Sequence, residues 1–448
     1  MTGTSAGGAR GGLGHIELWY LAYALFGVSV AGGLPILLPL TVIRGGTAGQ
    51  IGLVIASMNL GSIAAPLWGE LADRWRVHRA LLAGGMAVTA SAVGAFAFAS
   101  HIGTWVLLAL LLGLGSSAAS TVAYMFVVEV YPKDEWSVRI GGLQTVYGLG
   151  WISGLVLAGA TGRTDLRAGL LICGALTAAG AVLGWPATRT PPRLSTGRPV
   201  VDAPVPVMHV EHGPGSLSRN FHALRLETLR SLGKTLATPF GRFLGTWLLA
   251  DAGGPAYYAV YPVLMQHVFQ VGPARASLSY AAAVVISLFL YAPAGRLTNR
   301  LGATRVLQLG FAVRLLALVI LAALAYAPVP GRSAWAELWF AVVVTSWALI
   351  GVSGVAVAAQ RAPMGEGEAI GIFTATTALA GAAGAAIGGA AADRWGYGAV
   401  PVVGAACIIT GLLISAADPG PRGSAPASAM DGLRGDGSGH PPGGRIVG

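Results

Sequence analysis

Ionisable side chains inside long apolar stretches are the first candidates for chemistry in this sequence, because a charge at the centre of a membrane helix costs about 3 kcal/mol or more. Asp251 stands midway along such a stretch, beside Gly253-Gly254-Pro255. A carboxyl group there could exchange a proton or contact a cation, or it could hydrogen-bond backbone freed by a Gly-Gly-Pro break. Arg314 is the basic counterpart in a later stretch, where it either reaches toward the surface or pairs with a carboxylate.

Aromatic and polar side chains recur at helical spacing around Asp251 and in three other apolar stretches, where they would share one face of each helix. With the acid, the set predicted to line a cavity for a small molecule is Asp251, Trp247, Tyr258, Tyr124, Tyr20 and Trp347. Aromatic walls, few hydrogen-bonding groups and one acid suit an amphipathic or weakly cationic organic molecule better than a sugar. Glu17 and Glu337 stand at the ends of their stretches and are interpreted as rim residues.

Motifs for bond chemistry are missing from the sequence. It contains no G-x-x-x-x-G-K-[ST] phosphate loop and no H-E-x-x-H or G-x-S-x-G element. Its eight histidines are dispersed without metal-ligand spacing, and Cys173 and Cys407 are too few for a cysteine-rich site. We therefore predict no enzyme activity, no cofactor and no metal. The net charge of +10 comes from arginines scattered between apolar stretches, so nucleic acid is not a predicted partner.

The composition requires these residues to lie in a membrane. Of 448 residues, 54% are hydrophobic and 10% are charged, whereas a soluble domain carries about 25% charged residues. A bilayer core about 30 Å thick takes about 20 apolar residues per helix. We predict an all-α integral membrane protein with twelve spans, which lie near residues 16–41, 48–69, 80–100, 103–130, 140–161, 167–186, 241–265, 274–294, 304–327, 335–360, 368–391 and 397–417.

A stretch rich in proline and arginine divides the spans into two groups of six. The predicted organisation, in chain order, is a tail at 1–15, a six-helix bundle at 16–186, a linker at 187–238 with one surface helix near 221–236, a second bundle at 239–417 and a disordered tail at 418–448. With both termini in the cytoplasm, the inside connectors and tails hold 21 Lys and Arg residues against six outside. Since such residues accumulate on the cytoplasmic side of membranes, this orientation is predicted.

The two bundles carry related connectors, which indicates an internal duplication. Residues 69–79, after the second span, match residues 295–305, after the eighth, at one offset of 226 residues. Both stretches begin with glycine and share two arginines, while Asp73 is replaced by Asn299. Self-similarity over this length predicts two related halves.

The first of these connectors resembles the signature of the major facilitator superfamily, G-x-x-x-D-R-x-[GR]-x-[RK]-[RK]. The residues that fit it are Gly69, Asp73, Arg74, Arg76 and Arg79. The resemblance implies twelve helices in two pseudo-symmetric six-helix halves and alternating access to a site between them. It also implies that this loop latches the halves on the cytoplasmic side, although a plain topology anchor is the other interpretation. The repeat adds its own residues to the predicted gate, namely Gly295, Asn299, Arg300 and Arg305.

A further stretch, after the fourth span, is similar to the superfamily's E-x-x-P-x-x-x-R element. It contains Glu129, Pro132 and Arg139. In the superfamily this element forms a network with the signature loop. The resemblance therefore implies that Glu129 and Arg139 are partners in the cytoplasmic gate.

Features of spans one and five bear on the direction of transport. Gly150 and Gly154 fit two glycines of the superfamily's antiporter motif, whereas Leu155 replaces its proline. Pro35 and Pro39 loosely resemble the proline pair of drug exporters.

We expect a monomeric transporter of the bacterial cytoplasmic membrane that exports a small organic molecule in exchange for protons. Proton-coupled uptake of a sugar, organic acid or amino acid is one alternative, and a sensor or assembly factor that no longer transports is another.

Overall fold

The computed structural model describes residues 18–131, 136–187, 238–327, 329–363 and 366–417. The tails predicted at 1–15 and 418–448 and the surface helix predicted near 221–236 lie outside these ranges. Within them every regular element is helical. The prediction of an all-α protein is therefore confirmed, while the predicted domain boundaries stay predictions.

The first six spans form helices α1 to α6. Helix α1 consists of Leu18–Gly27, a π-helical segment Val28–Gly33 and Leu34–Gly45, and helix α2 consists of Ala48–Ser62 and Ala65–Trp75. The remaining four are α3 His78–Phe96, α4 Ile102–Val130, α5 Trp136–Thr161 and α6 Leu166–Ala187. Most of these helices carry apolar residues on their outer faces, as expected for helices in contact with lipid.

The second six spans form helices α7 to α12. Helix α10 is broken once, at Ser346, between Arg332–Thr345 and Trp347–Arg361, and the other five are continuous. The others are α7 Pro239–His267, α8 Pro273–Leu301, α9 Ala303–Tyr326, α11 Glu366–Trp395 and α12 Ala399–Ala417. Successive helices alternate in direction, so the connectors fall on two faces. We call them the linker side, which carries Arg76, Thr238 and Gly302, and the far side, which carries Gly46, Gly272 and Gly396.

Ten helices in the described residues are long and apolar enough to cross a membrane. Helix α12 is apolar but shorter, and α7 carries more polar residues and is largely buried among the other helices. Large apolar side chains are exposed on the outside of the bundle, as at Phe98, Val182 and Phe289. Exposure of this kind is unfavourable in water and expected next to lipid.

The predicted Gly-Gly-Pro break in α7 is wrong, because the helix runs without interruption from Pro239 to His267. Pro255 removes only one backbone donor, which leaves the carbonyl of Asp251 without its usual helical partner. The two glycines serve packing instead. A Cβ atom at Gly253 would contact the carbonyl of Gly404 in α12, and one at Gly254 would contact Arg314 in α9.

The connectors of the two halves repeat in detail, as the predicted duplication requires. Helices α2 and α8 end at Trp75 and Leu301, which are 226 residues apart. The next residue adopts a positive φ in both cases, 51° at Arg76 and 87° at Gly302. Such a residue ends a helix and turns the chain, so α2 and α8 end alike, although two residues connect α2 to α3 and one residue connects α8 to α9.

The helix contacts repeat as well. In the first half, Gly150 and Gly154 of α5 pack against the carbonyls of Ala24 and Val28 in α1. In the second half, glycines 384 and 388 of α11 pack against the carbonyls of residues 252 and 256 in α7. Both contacts use glycines four residues apart, which let helices approach backbone to backbone. The two halves are therefore related by packing as well as by sequence.

The described contacts between the halves are concentrated on the far side. Gly52 of α2 packs against Ala385 and Gly389 of α11, and Gly159 of α5 packs against Ala274 and Ser277 of α8. All of these residues lie in the far-side parts of their helices. We call the α2–α11 contact, formed by Ala48, Gly52, Ala385 and Gly389, the glycine seam. It closes the space between the halves on the far side.

Candidate functional site

Asp251 and Arg314 form an ion pair inside the second half. Arg314 Nη1 lies 3.4 Å from Asp251 Oδ1, and the two side chains are 0% and 2% exposed. Asp251 lies near the middle of α7 and Arg314 near the middle of α9. Of the two alternatives predicted for Arg314, the structure therefore contains the pair with a carboxylate and not the extension toward the surface.

The ion pair is connected to the break in α10. Arg314 Nε donates a hydrogen bond to Ser346 Oγ at 3.1 Å, and Ser346 Oγ donates to the Val343 carbonyl at 2.6 Å. The Tyr258 hydroxyl donates to the same carbonyl at 3.2 Å. Helices α7, α9 and α10 are thus joined at the point where α10 is not continuous.

One donor of Arg314 is left over in this arrangement. Its Nη2 is buried and has no hydrogen-bond partner in the described part of the chain. The Trp347 ring lies 5.5 Å from the guanidinium carbon, which is a contact that favours a cation. An unpaired buried donor costs about 1–3 kcal/mol. Arg314 therefore lacks one hydrogen-bond partner among the described residues, and a rearrangement that gave Nη2 a partner would stabilise the ion pair.

Trp247 lies directly on the linker side of the pair. Its Nε1 donates to Thr377 Oγ1 of α11 at 3.0 Å, and its ring meets Phe311 edge to face with centroids 5.7 Å apart. Trp247 precedes Asp251 by four residues and Phe311 precedes Arg314 by three. Each ring therefore lies about one helical turn from a member of the pair, toward the linker side. The two rings separate the ion pair from the linker side.

Aromatic rings also pack on the far side of the pair. Tyr258 and Tyr261 of α7 meet Tyr280 of α8 and Phe340 of α10, with Tyr261 and Phe340 stacked at 3.8 Å. The Tyr261 hydroxyl donates to the Ala276 carbonyl at 2.9 Å. This region is closed by rings and contains few polar groups.

Tyr20 and Tyr124, the other predicted cavity residues, lie together in the first half. The Tyr20 hydroxyl donates to the Arg139 carbonyl at 3.2 Å, and the Tyr124 hydroxyl accepts from Gln144 Nε2 at 2.5 Å. Both tyrosines are nearly buried in an aromatic cluster near the linker side. The six predicted cavity residues therefore fall into two groups, one in each half.

The predicted gate residues lie on the linker side. Arg74 and Arg76 are exposed, and the guanidinium of Arg79 lies 4.1 Å from the Trp185 ring. The guanidinium of Arg139 lies 3.5 Å from the Tyr131 ring. Both of these contacts are within the first half. Gly69 is buried near the end of α2, and the side chains of Asp73 and Glu129 lie outside the described residues.

The second copy of the gate motif lies at the same level. Asn299, Arg300 and Arg305 are exposed. A Cβ atom at Gly295 would have no atom of another helix within 4 Å among the described residues. The far side is where the two halves touch, so the latch role of both copies stays a prediction.

A polar contact between the halves on the far side was not predicted from the sequence. Thr47 Oγ1 donates to Asp393 Oδ2 at 2.7 Å, at the far-side end of the glycine seam. Thr47 also caps α2 through the Gln50 backbone N–H, and Gln50 caps Thr47 in return. The available signal was Gly389-x-x-x-Asp393-Arg394-x-Gly396, which repeats the G-x-x-x-D-R-x-G pattern of the linker side.

Two six-helix halves in a membrane, touching on one side and carrying a buried ion pair in one wall, define a multi-pass membrane transporter. The family model of the Major Facilitator Superfamily matches residues 19–225 and 242–436. The chain therefore belongs to the Major Facilitator Superfamily, as the signature loop predicted. It is a secondary transporter and not an enzyme.

Solved structures with the same fold are distant in sequence. The nucleoside transporter NupG superimposes with a TM-score of 0.68 at 15% identity, covering 89% of this chain and 96% of that one. The xylose transporter XylE from E. coli, in an inward open conformation, gives 0.62 at 16% identity over 91% and 96%. A bacterial homologue of the human lysosomal transporter Spinster, inward-facing and occupied, gives 0.64 at 14% over 89% and 94%. No curated protein sequence matches the chain.

Proposed function

We propose that this protein exports a small amphipathic organic molecule across the bacterial cytoplasmic membrane in exchange for protons, and that Asp251 carries the proton. It acts as a monomer with both termini in the cytoplasm. The observation that carries the proposal is the buried pair of Asp251 and Arg314 at the break in α10.

The pair supports proton coupling through its charge. Ionised, it is neutral overall, and each charge offsets the desolvation cost of the other. A proton on Asp251 would leave the Arg314 guanidinium buried without a counter-charge, which costs several kcal/mol unless the surroundings move. Arg314 donates a hydrogen bond to Ser346 at the α10 break. We therefore expect α10 to move at this break when Asp251 is protonated. Protonation and helix arrangement are thereby linked.

The closed far side supports the assignment of a conformational state. The excess of Lys and Arg supports a cytoplasmic location of the linker side, and the glycine seam and the Thr47–Asp393 contact close the opposite side. In this state an exporter would take up substrate from the cytoplasm and release its proton there.

Export is supported by the contact between two exporter-like features. Gly32, which precedes the Pro35–Pro39 pair, packs against Gly154 of the partial antiporter motif in α5. The π-helical segment Val28–Gly33 places this contact within α1. The two features therefore belong to one helix interface, which would have to change as the halves rock.

The aromatic residues around the network support an amphipathic substrate. Trp347 is half-buried beside Arg314, and Trp151 of the first half meets Tyr280 of the second with ring centroids 6.2 Å apart. Such rings bind flat apolar groups, and a small number of polar groups fixes their orientation. A weakly cationic group would favour the ionised, neutral pair over the protonated, positive one, so substrate and proton would compete.

The test uses everted membrane vesicles and a panel of amphipathic aromatic amines, with a pH-sensitive dye in the lumen. After acidification of the lumen, a transported amine should draw protons out of the lumen, and Asp251→Asn should abolish this response. Asp165→Asn is the matched control, because Asp165 is a far-side carboxylate that caps α6 through the Ala168 backbone N–H. A normal response in Asp251→Asn would exclude Asp251 as the proton carrier.

A further inference from the structure

We infer that protons travel between Asp251 and the linker side through a water-filled crevice inside the second half, separate from the space between the halves. This inference rests on the proposed proton role of Asp251 and names the route to it. We call this space the α9–α12 crevice. It lies between α7, α9, α10 and α12, and the residues that define it here are Thr246, Thr304, Gln308, Phe311, Arg361 and Ser415.

The crevice extends from the linker side toward the middle of α9. Its α9 residues run from Thr304, in the first turn of the helix, to Phe311. At about 1.5 Å rise per residue this spans about 10 Å. Phe311 and Trp247 form the inner end of the crevice, and the Asp251–Arg314 pair lies one helical turn beyond these rings. The crevice therefore leads from the linker side to the two rings and ends one helical turn short of the ion pair.

The wall of the crevice carries polar side chains that are free to bind water. Most hydroxyl groups in the spans donate to a backbone carbonyl three or four residues earlier, as Thr298 and Thr345 do. The half-buried side chains of Thr246, Thr304 and Ser415 and the exposed side chain of Gln308 have no hydrogen-bond partner in the described part of the chain. Polar groups without protein partners at the wall of a cavity bind water.

The size of the crevice fits a short chain of waters. About 40 Å³ of it is open to the centre of a water molecule, and one water needs about 10–15 Å³ on this measure. About three waters would therefore fit, which is enough to cover most of the distance to the aromatic rings. Arg361 at the mouth lies 5.7 Å from the Phe243 ring and adds a polar entrance.

The opposite approach to Asp251 is different in character. On the far side of the pair, Tyr258, Tyr280 and Phe340 pack ring against ring. Around the middle of the membrane, the described parts of α8, α10, α11 and α12 carry no charged side chain, and the titratable groups there are Tyr280, Tyr291 and Cys407. Arg314 is the charged group that faces Asp251. Among the described residues, the approach to Asp251 from the linker side is therefore the more polar one, up to the Trp247–Phe311 rings.

The test follows the proton directly and needs no transported compound. Protein in nanodiscs is subjected to a pH jump, and the infrared band of the protonated Asp251 carboxyl is followed in time, assigned by its loss in Asp251→Asn. Gln308→Phe fills the middle of the crevice and should slow the band's appearance at least about tenfold, with an unchanged titration midpoint. Leu309→Phe is the matched control, because Leu309 is the next residue of the same helix and does not line the crevice. It should react as fast as the unmodified protein.

Each failure has its own meaning. If no band of the protonated Asp251 carboxyl can be found, the proposed proton role is wrong and the crevice has no function to serve. If the band appears as fast in Gln308→Phe as in Leu309→Phe, Asp251 is protonated by another route and the crevice inference is overturned.

A second measurement covers the case in which Gln308→Phe does not fold. In a Cys407→Ser background, Thr246→Cys should react with a membrane-impermeant thiol reagent applied to the linker side, and Leu309→Cys should not. Failure of Thr246→Cys to react would show that the crevice contains no accessible water.

Discussion

Arg314→Ala is expected to lower the stability of the folded protein by about 3–5 kcal/mol, because it leaves the Asp251 carboxylate buried without its counter-charge. The contact distance alone would not suggest this, since 3.4 Å is long for an ion pair. Burial decides the outcome. With both side chains almost wholly shielded, there is no water to replace the lost partner.

Arg275→Ala is the matched control. Arg275 contacts Glu337 on the far side at 2.6 Å, with the arginine side chain 57% and the glutamate side chain 13% exposed, and Ser279 Oγ still donates to Glu337 Oε1 at 2.8 Å when the arginine is removed. Exposed ion pairs contribute about 0–1 kcal/mol, so this variant should unfold close to the unmodified protein even though its ion pair is the shorter one. Thermal unfolding in detergent, followed by size-exclusion chromatography, gives the comparison. Equal destabilisation by the two substitutions would show that the buried pair has no special energetic role.

A double variant separates the structural role of the pair from its coupling role. Asp251→Asn with Arg314→Met removes both charges, and replacing a buried pair by uncharged groups is often neutral or stabilising. We expect its stability to recover relative to Arg314→Ala. Its proton response in vesicles should stay absent, since no titratable carboxyl remains at this position. Recovery of both properties would mean that the pair only stabilises the fold.

The helices and their duplication could be predicted from the sequence because each follows from local pattern. An apolar stretch of span length has one way to satisfy its backbone in a membrane, which is a helix. The connector repeat at an offset of 226 residues predicted two related halves, and the helices before both connectors end at a residue with positive φ, Arg76 and Gly302. The signature loop predicted the superfamily, which the family model confirms.

The interior of α7 could not be predicted in the same way. Gly253-Gly254-Pro255 reads as a break when the helix is considered alone. In the structure α7 is surrounded by other helices, and each glycine accepts a close neighbour from α12 or α9. Because the glycines have no side chains, α12 and α9 pack closely against α7, and this packing offsets the one hydrogen bond lost at Pro255. Only knowledge of which helices contact α7 would have given this result.

The ion pair and the crevice depend on the rotation of helices that are far apart in the chain. Asp251 and Arg314 are 63 residues apart, and the sequence left open whether Arg314 reaches toward the surface or pairs with a carboxylate. Thr246, Gln308 and Ser415 each look like an isolated polar residue near the end of an apolar stretch. Their common wall exists only after α7, α9 and α12 are packed together.

Gly52→Leu is expected to open the far side and to reduce transport strongly. A side chain at Gly52 would meet the carbonyl of Ala385 and the Cα of Gly389, which are backbone atoms and have nowhere to move while the seam is closed. Overpacking of this kind costs about 1–3 kcal/mol. Because the strain exists only in the closed arrangement, it shifts the population toward the open one by about five- to 150-fold.

The shift can be measured at Asn59, which lies farther along α2 toward the linker side and packs on Gly381 of α11. With a membrane-impermeant maleimide added on the far side only, Asn59→Cys should react slowly in the otherwise unmodified protein, behind the closed seam. Gly52→Leu should speed this reaction at least about fivefold. Gly84→Leu is the matched control, because nothing lies within 4 Å of a Cβ at Gly84 in α3. Slow labelling together with normal transport in Gly52→Leu would mean that the glycine seam is not the outer gate, since a gate that closes by backbone contact cannot tolerate leucine at its centre.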